Sequence, residues 1–270
     1  MYKKPFAIPF IGWILIGTIV PGLVIAFYGF TDRSGAFTMD NVTSILAPEH
    51  AKALWMSLLL AFISSLICLI SSLPLALILR NSKLSSKGFL VFIFILPMWM
   101  NFLLRTMAWQ VLLERGGLIN SFFENIGMPQ LQVINTPVAV VLGMVYDYLP
   151  FMILPIYNSM IKIENAVIEA AYDLGATKAK VFKDVILPLS VPGIASGITM
   201  VFVPALTTFA ISNMLGGGKI YLIGNIIEQE FTTTSNWNLG SGLSLVMMVF
   251  ILVTMELMSR LDKDGDGALI

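Results

Sequence analysis

The chain has 270 residues, 57% of them hydrophobic and 12% charged, with sixteen Lys and Arg against sixteen Asp and Glu. A soluble globular domain carries about 25% charged residues, so this composition excludes one of that size; it also excludes a disordered chain and a basic nucleic-acid binder. One cysteine, Cys68, and one histidine, His50, exclude an intrachain disulfide, a His-rich metal site and a Ser-His-Asp triad built away from His50.

Six apolar runs remain, each about 20 residues or longer and able to cross a bilayer as a helix. They are Ile8–Phe30, Ala53–Leu79, Phe89–Leu113, Pro137–Tyr157, Val191–Asn213 and Leu239–Met258. Each is too long for a strand, and none has the alternation of an outer-membrane barrel. The expected fold class is an all-α polytopic membrane protein with six transmembrane helices. Lys3 and Lys4 precede the first run as in a signal peptide, but the run is too long for one and no small-x-small cleavage site follows, so it reads as a retained signal anchor. His50 is expected at the surface near the outer membrane face, and Cys68 as packing inside the second span. Pro74, Pro97, Pro150, Pro155 and Pro204 lie within spans, where the carbonyls they free need neighbouring helices or a wet cavity.

Asp147 is the one acid clearly inside a span, between Tyr146 and Tyr148. An intramembrane carboxylate is a functional candidate by default. The competing reading is a structural pair with Arg105 of the preceding span. Trp99, Asn101 and Trp109 of that span either line a path with Asp147 or belong to an interfacial aromatic belt and helix packing.

An even number of spans puts both termini on one side. Lys3, Lys4, Arg80, Lys83, Lys87, Lys162, Lys178, Lys180, Lys183, Arg260 and Lys263 collect on that side, against Arg33, Lys52, Arg105, Arg115 and Lys219 on the other. The positive-inside rule then puts both termini in the cytoplasm. The external loops are about Thr31–Lys52, Glu114–Thr136 and Met214–Asn238, and the first cytoplasmic loop, Arg80–Gly88, is short and basic.

The second cytoplasmic loop, residues 158–190, reads as two short helices. Ile163, Val167 and Ala170/Ala171 fall at helical spacing, with Tyr172 and Leu174 on an adjacent stripe. Gly175 supplies the left-handed residue that ends the first helix. Thr177 caps a second helix through Asp184, with an apolar stripe of Val181, Phe182 and Val185 and a basic face of Lys178, Lys180 and Lys183. Pro188 and Pro192 are expected to stop it before the next span. Such a pair needs an apolar surface to lie on: either a partner's groove or the lipid headgroups.

The run Glu169-Ala170-Ala171-x-x-x-Gly175, then nine residues, then Val185-x-Leu187-Pro188, resembles the EAA signature of bacterial ABC-importer permeases, with Val185 where Ile is commoner. Its place between the fourth and fifth of six spans agrees. The resemblance implies a type I, MetI-like permease fold in which this loop sits in a groove of a cytoplasmic ATPase, with Glu169, Ala170, Ala171, Gly175 and Leu187 making or shaping the contact. Leu96-Pro97-Met98-Trp99-Met100-Asn101, Arg105-Thr106, Tyr146 to Tyr157, and Leu215-Gly-Gly-Gly-Lys219 followed by Ile223-Gly-Asn225 and Ile227 are similar to the spermidine/putrescine group of these permeases, its PotB-like component. That likeness implies an ATPase dimer, a second homologous permease and an external polyamine-binding protein as partners, in the bacterial cytoplasmic membrane, with no nucleic acid. It implies no cofactor on this chain, ATP and Mg being held by the ATPase. Residues 1–52 would be a first helix and external loop, 53–258 the five-helix transport domain and 259–270 a cytoplasmic tail. A polyamine path needs carboxylates or carbonyls for ammonium groups and aromatic faces for the stem, for which Asp147, Tyr146, Tyr148, Trp99 and Asn101 are the candidates. Glu228 and Glu230 either meet the polyamine or binding protein or are solvated loop charges.

Two motifs fail. Leu215-Gly-Gly-Gly-Lys219-Ile220 lacks the first glycine of a P-loop and the Ser/Thr after Lys, so the chain is not expected to bind ATP. Asp262-Lys-Asp264-Gly-Asp266-Gly267 opens like an EF-hand loop, but the sequence reaches Ile270 before the twelfth position, where a Glu ligand is due, so a solvated tail is expected. Other readings are an importer for iron or thiamine, or a self-contained secondary carrier, which would require matched broken repeats. A membrane enzyme would need clustered His, Asp or Glu.

Overall fold

Long apolar runs without water must satisfy their backbone internally, which selects helices. The computed structural model describes residues 12–81 and 96–267. In chain order these contain α1 (Gly12–Gly29), α2 (Pro48–Asn81), α3 (Phe102–Leu113), α4 (Leu118–Asn125), α5 (Pro137–Ile161), α6 (Asn165–Asp173), α7 (Lys178–Leu189), α8 (Val191–Thr207), α9 (Ala210–Leu215), α10 (Ile223–Thr232) and α11 (Trp237–Gly267). Among the described residues, α1, α2, α5 and the stretch Trp237–Met258 of α11 are long and apolar enough to cross a membrane; α7 and α8, bent by 66° at Ser190, make a fifth if counted as one span. The start of the first expected span, the first seven residues of the third and most of the first cytoplasmic loop lie outside the described residues.

Several expected boundaries are corrected. The second span begins at Pro48 rather than Ala53, and its 34 residues correspond to roughly 50 Å of helix. That exceeds a hydrocarbon core of about 30 Å, so Glu49 in its first turn and Arg80 in its last reach polar surroundings. The fourth span continues to Ile161. The described part of the third is not one helix: a 3-10 turn over Leu96–Trp99 breaks at Asn101, whose side chain accepts from the Leu103 amide at 2.9 Å and starts α3. The fifth also breaks, at Thr208–Phe209, between α8 and α9.

Proline explains a second group of differences. Pro188 does not stop α7, which runs past Asp184 to Leu189. A π turn over Phe182–Ile186 precedes it, with the Leu187 amide bonding the Phe182 carbonyl. Pro21 in α1 follows a similar turn, Leu15–Ile19, closed by Val20 onto Leu15. A proline ring crowds the carbonyl four residues back, and a widened turn accommodates it without ending the helix.

The chain divides into two compact units, Met1–Leu54 with Ile223–Leu252, and Trp55–Leu222 with Val253–Ile270. In the first, Asn238 donates to the Thr31 carbonyl at 2.7 Å and Asn41 to the same carbonyl at 2.8 Å. Trp237 packs against Tyr28 and Phe231. Asp32 closes a turn by accepting from the Ser34 hydroxyl at 2.6 Å and the Ala36 amide at 2.9 Å, and these bonds hold its carboxyl below the usual range. His50 is buried rather than at the surface, 8% exposed, with Nδ1 donating to the Ser44 carbonyl at 2.7 Å.

In the second unit α5 is the centre. Met152, Ile153, Ile156 and Met160 pack with Cys68, Ala76 and Leu79 of α2 and Val201 of α8. Cys68 is fully buried packing, as expected. Gly193 and Gly197 let α8 approach closely: a Cβ at Gly193 would lie 2.6 Å from the Pro155 carbonyl oxygen, and one at Gly197 2.7 Å from the Met152 sulfur. This is the small-xxx-small device of membrane helices, which the apolar run alone did not single out.

Candidate functional site

The cytoplasmic loop folds as two helices. α6 ends where Gly175 takes φ +79°, and Thr177 caps α7 by accepting from the Lys180 amide. Ile168 and Ala171 face the core, as do Phe182 and Val185 of α7. A neighbouring stripe, Val167 and Ala170 of α6 with Leu174 just past its end, is exposed, Leu174 to 89%. Glu169 and Gly175 are exposed as well, and Leu187 is half-buried. An apolar stripe turned outward on a short helix whose other face is already packed is a surface prepared for another body.

Beside it a cleft of about 430 Å³ is lined by Arg80, Asn165, Glu169, Tyr172, Lys178 and Phe182, among others. Arg80, treated in the sequence only as an orienting charge, donates to the Met160 and Ile163 carbonyls at 2.9 and 3.0 Å and to the Asn165 side-chain oxygen at 3.2 Å.

The membrane-embedded candidates form a second group. Arg105 Nε lies 3.2 Å from Asp147 Oδ1, with both side chains buried, 6% and 3% exposed. The N–H is not aimed along that line, so this contact is an ion pair rather than an aligned hydrogen bond. Thr106 donates to the other carboxylate oxygen at 3.2 Å, and Arg105 Nη1 donates to the Pro97 carbonyl at 2.8 Å. Asp147 and Arg105 thus tie α5 to the broken stretch before α3. Tyr148 donates to the Pro204 carbonyl at 3.4 Å, near the second break. Tyr146 is partly exposed, edge-on to Trp109 with ring centres 5.3 Å apart. Trp99 is 75% exposed. Asn101 is brought near this group by its position, but its side-chain oxygen is engaged as the cap of α3.

Glu228 and Glu230 accept locally from Thr232 and Thr234, at 3.2 and 2.7 Å. Gly217 and Gly218 adopt positive φ in a turn after α9, which is a chain reversal and not a phosphate cradle before a helix. From Asp262 to Gly267 the backbone continues α11, not a calcium loop. Among the described residues no group of three or more His, Cys, Asp or Glu is placed to hold a metal.

Residues 72–264 match the model of the family described as binding-protein-dependent transport system inner membrane component. The chain belongs to that family. This inner-membrane, multi-pass permease is 34% identical over 259 residues to the spermidine/putrescine transport system permease protein PotB of Haemophilus influenzae, covering 93% of this chain and 91% of that one. It is 35% identical over 247 residues to the PotB protein of Escherichia coli, covering 88% and 90%. Its fold is similar to that of a bacterial alginate ABC transporter solved in complex with an alginate pentasaccharide-bound periplasmic protein, with TM-score 0.81, 16% identity and coverage of 97% and 93%. The permease is therefore a transport component of an ABC importer and not its catalytic ATPase.

Proposed function

We propose that the permease carries polyamines, spermidine and putrescine, as one half of the translocation pathway of an ATP-driven importer. The observation that carries this reading is the likeness to PotB proteins, at 34–35% identity along about nine-tenths of both chains. Its partners in this reading are a cytoplasmic ATPase dimer, a second homologous permease and an external polyamine-binding protein; the chain itself holds no cofactor. Six spans, with α3 belonging to the third, leave both termini in the cytoplasm. The first helix and external loop precede Pro48, where α2 opens the transport domain, and the end of α11 beyond residue 258 is the cytoplasmic tail.

In this proposal the ATPase receives α6 through Glu169, Ala170 and Gly175 together with the outward Val167 and Leu174, while the core-facing Ala171 and Leu187 of α7 shape the contact from behind. The path runs past Trp99, Tyr146 and Tyr148, whose faces suit an ammonium-bearing methylene chain. Asn101 shapes it by capping α3. Asp147 shapes it from behind, since its carboxylate is engaged by Arg105 and Thr106.

The test is uptake of radiolabelled spermidine and putrescine in a strain deleted for this chain. Loss of uptake, restored by the chain on a plasmid, is expected. Unchanged polyamine uptake, with iron or thiamine uptake falling instead, would overturn the substrate.

A further inference from the structure

Arg80 is the last-turn cation of α2, and its guanidinium reaches residues more than eighty positions away. Nε donates to the Met160 carbonyl in the last turn of α5, and one Nη donates both to the Ile163 carbonyl and to Asn165 Oδ1. Met160 lies in the last turn of one helix and Asn165 begins the next. A helix C-terminus leaves carbonyls without in-helix donors and favours a cation. A guanidinium offers several donors in a rigid fork, which suits three acceptors at different angles; an ammonium is a single point charge on a flexible stem. The same side chain lines the cleft that Glu169 and Lys178 share.

We propose that Arg80 is a positioning residue for transport, binding the α5–α6 junction to the cytoplasmic end of α2 so that a push on α6 moves α2 and α5 together. The inference rests on the reading of α6 as the ATPase contact. Without the fork, α6 still binds the ATPase, but its displacement is absorbed at residues 162–164 instead of passing to the spans.

The experiment uses the assembled importer in proteoliposomes, reading spermidine transported per ATP hydrolysed. Arg80→Lys should leave ATPase association and the KM for spermidine unchanged, while the transport-to-hydrolysis ratio falls at least tenfold. Asn165→Ala, which removes one of the three acceptors at the α5–α6 junction, should lower the ratio two- to threefold. A nitroxide on a cysteine replacing Glu164, in a Cys68→Ser chain, should become more mobile in both variants. A wild-type ratio in Arg80→Lys, or in Asn165→Ala if the lysine variant does not accumulate, overturns the proposal, as does unchanged nitroxide mobility. Glu169→Lys separates the two readings. If it keeps the ATPase and transports normally, the contact reading of α6 fails; if it is impaired while Arg80→Lys is normal, only the role of Arg80 fails.

Discussion

A buried ion pair in a membrane span persists against a desolvation cost of several kcal/mol per ion, and removing one partner leaves the other charge uncompensated, at about 3–5 kcal/mol. Asp147→Asn should therefore reduce the amount of protein in the membrane as well as uptake, because Arg105 loses its counter-charge. A well-packed apolar replacement of both, Arg105→Met with Asp147→Leu, should restore much of that amount, since apolar substitution of a whole pair is near neutral. Uptake in the double variant should stay low, because the Pro97 carbonyl has lost its donor and the break before α3 its anchor. Immunoblots of membranes beside spermidine uptake check both outcomes, and full uptake in the double variant would show that the pair serves stability alone. Asp147 was legible in the sequence because acids are so scarce within the spans, and Arg105 was legible as its alternative partner. Arg80 was not: its acceptors are a distant carbonyl pair and an amide, and nothing in the local pattern around Arg80 signals them.

At the scale of helices, close approach is decided by what is missing. Gly193 faces the Pro155 carbonyl and the Ser159 Cβ, both 2.6 Å from where its own Cβ would sit. Gly193→Leu should force α8 away from α5 and abolish accumulation in the membrane, whereas Thr199→Leu, on a partly buried position of the same helix, should be tolerated far better. Immunoblotting of the two variants compares them, and equal accumulation would refute the packing argument. Helix existence followed from the apolar runs, and the turn between α6 and α7 from Gly175 and Thr177. The breaks at Asn101 and at Thr208–Phe209 did not, because hydropathy reports that a segment prefers lipid or protein to water and is silent on whether its backbone is continuous. The π turns before Pro21 and Pro188 were hidden for a related reason. A proline reports a lost donor, but whether the helix ends or widens depends on the packing that holds either side.

For the molecule as a whole, the scarce charge lies mainly at the ends of the spans and in the loops, and large apolar side chains such as Trp13, Phe27, Trp55, Phe62 and Leu252 stay exposed in the isolated chain. Such surface needs lipid or protein against it. The outward stripe of α6 needs protein if it is the ATPase contact, so the chain purified alone should not transport. Affinity capture from membranes should bring down an ATPase and a second permease, identified by mass spectrometry; spermidine transport by the chain alone in proteoliposomes would reject the subunit reading.

The sequence by itself determined that the chain is a helical membrane protein, and its family through the EAA-like loop. These are properties of composition, order and local spacing, and they survive without coordinates. Tertiary structure alone decided that Asp147 is spent on Arg105 and Thr106, that His50 is buried, that two spans are broken and that Arg80 holds the loop. Each depends on groups far apart in the chain meeting at hydrogen-bond distance, and such meetings follow from helix packing, which spacing along a single segment does not encode.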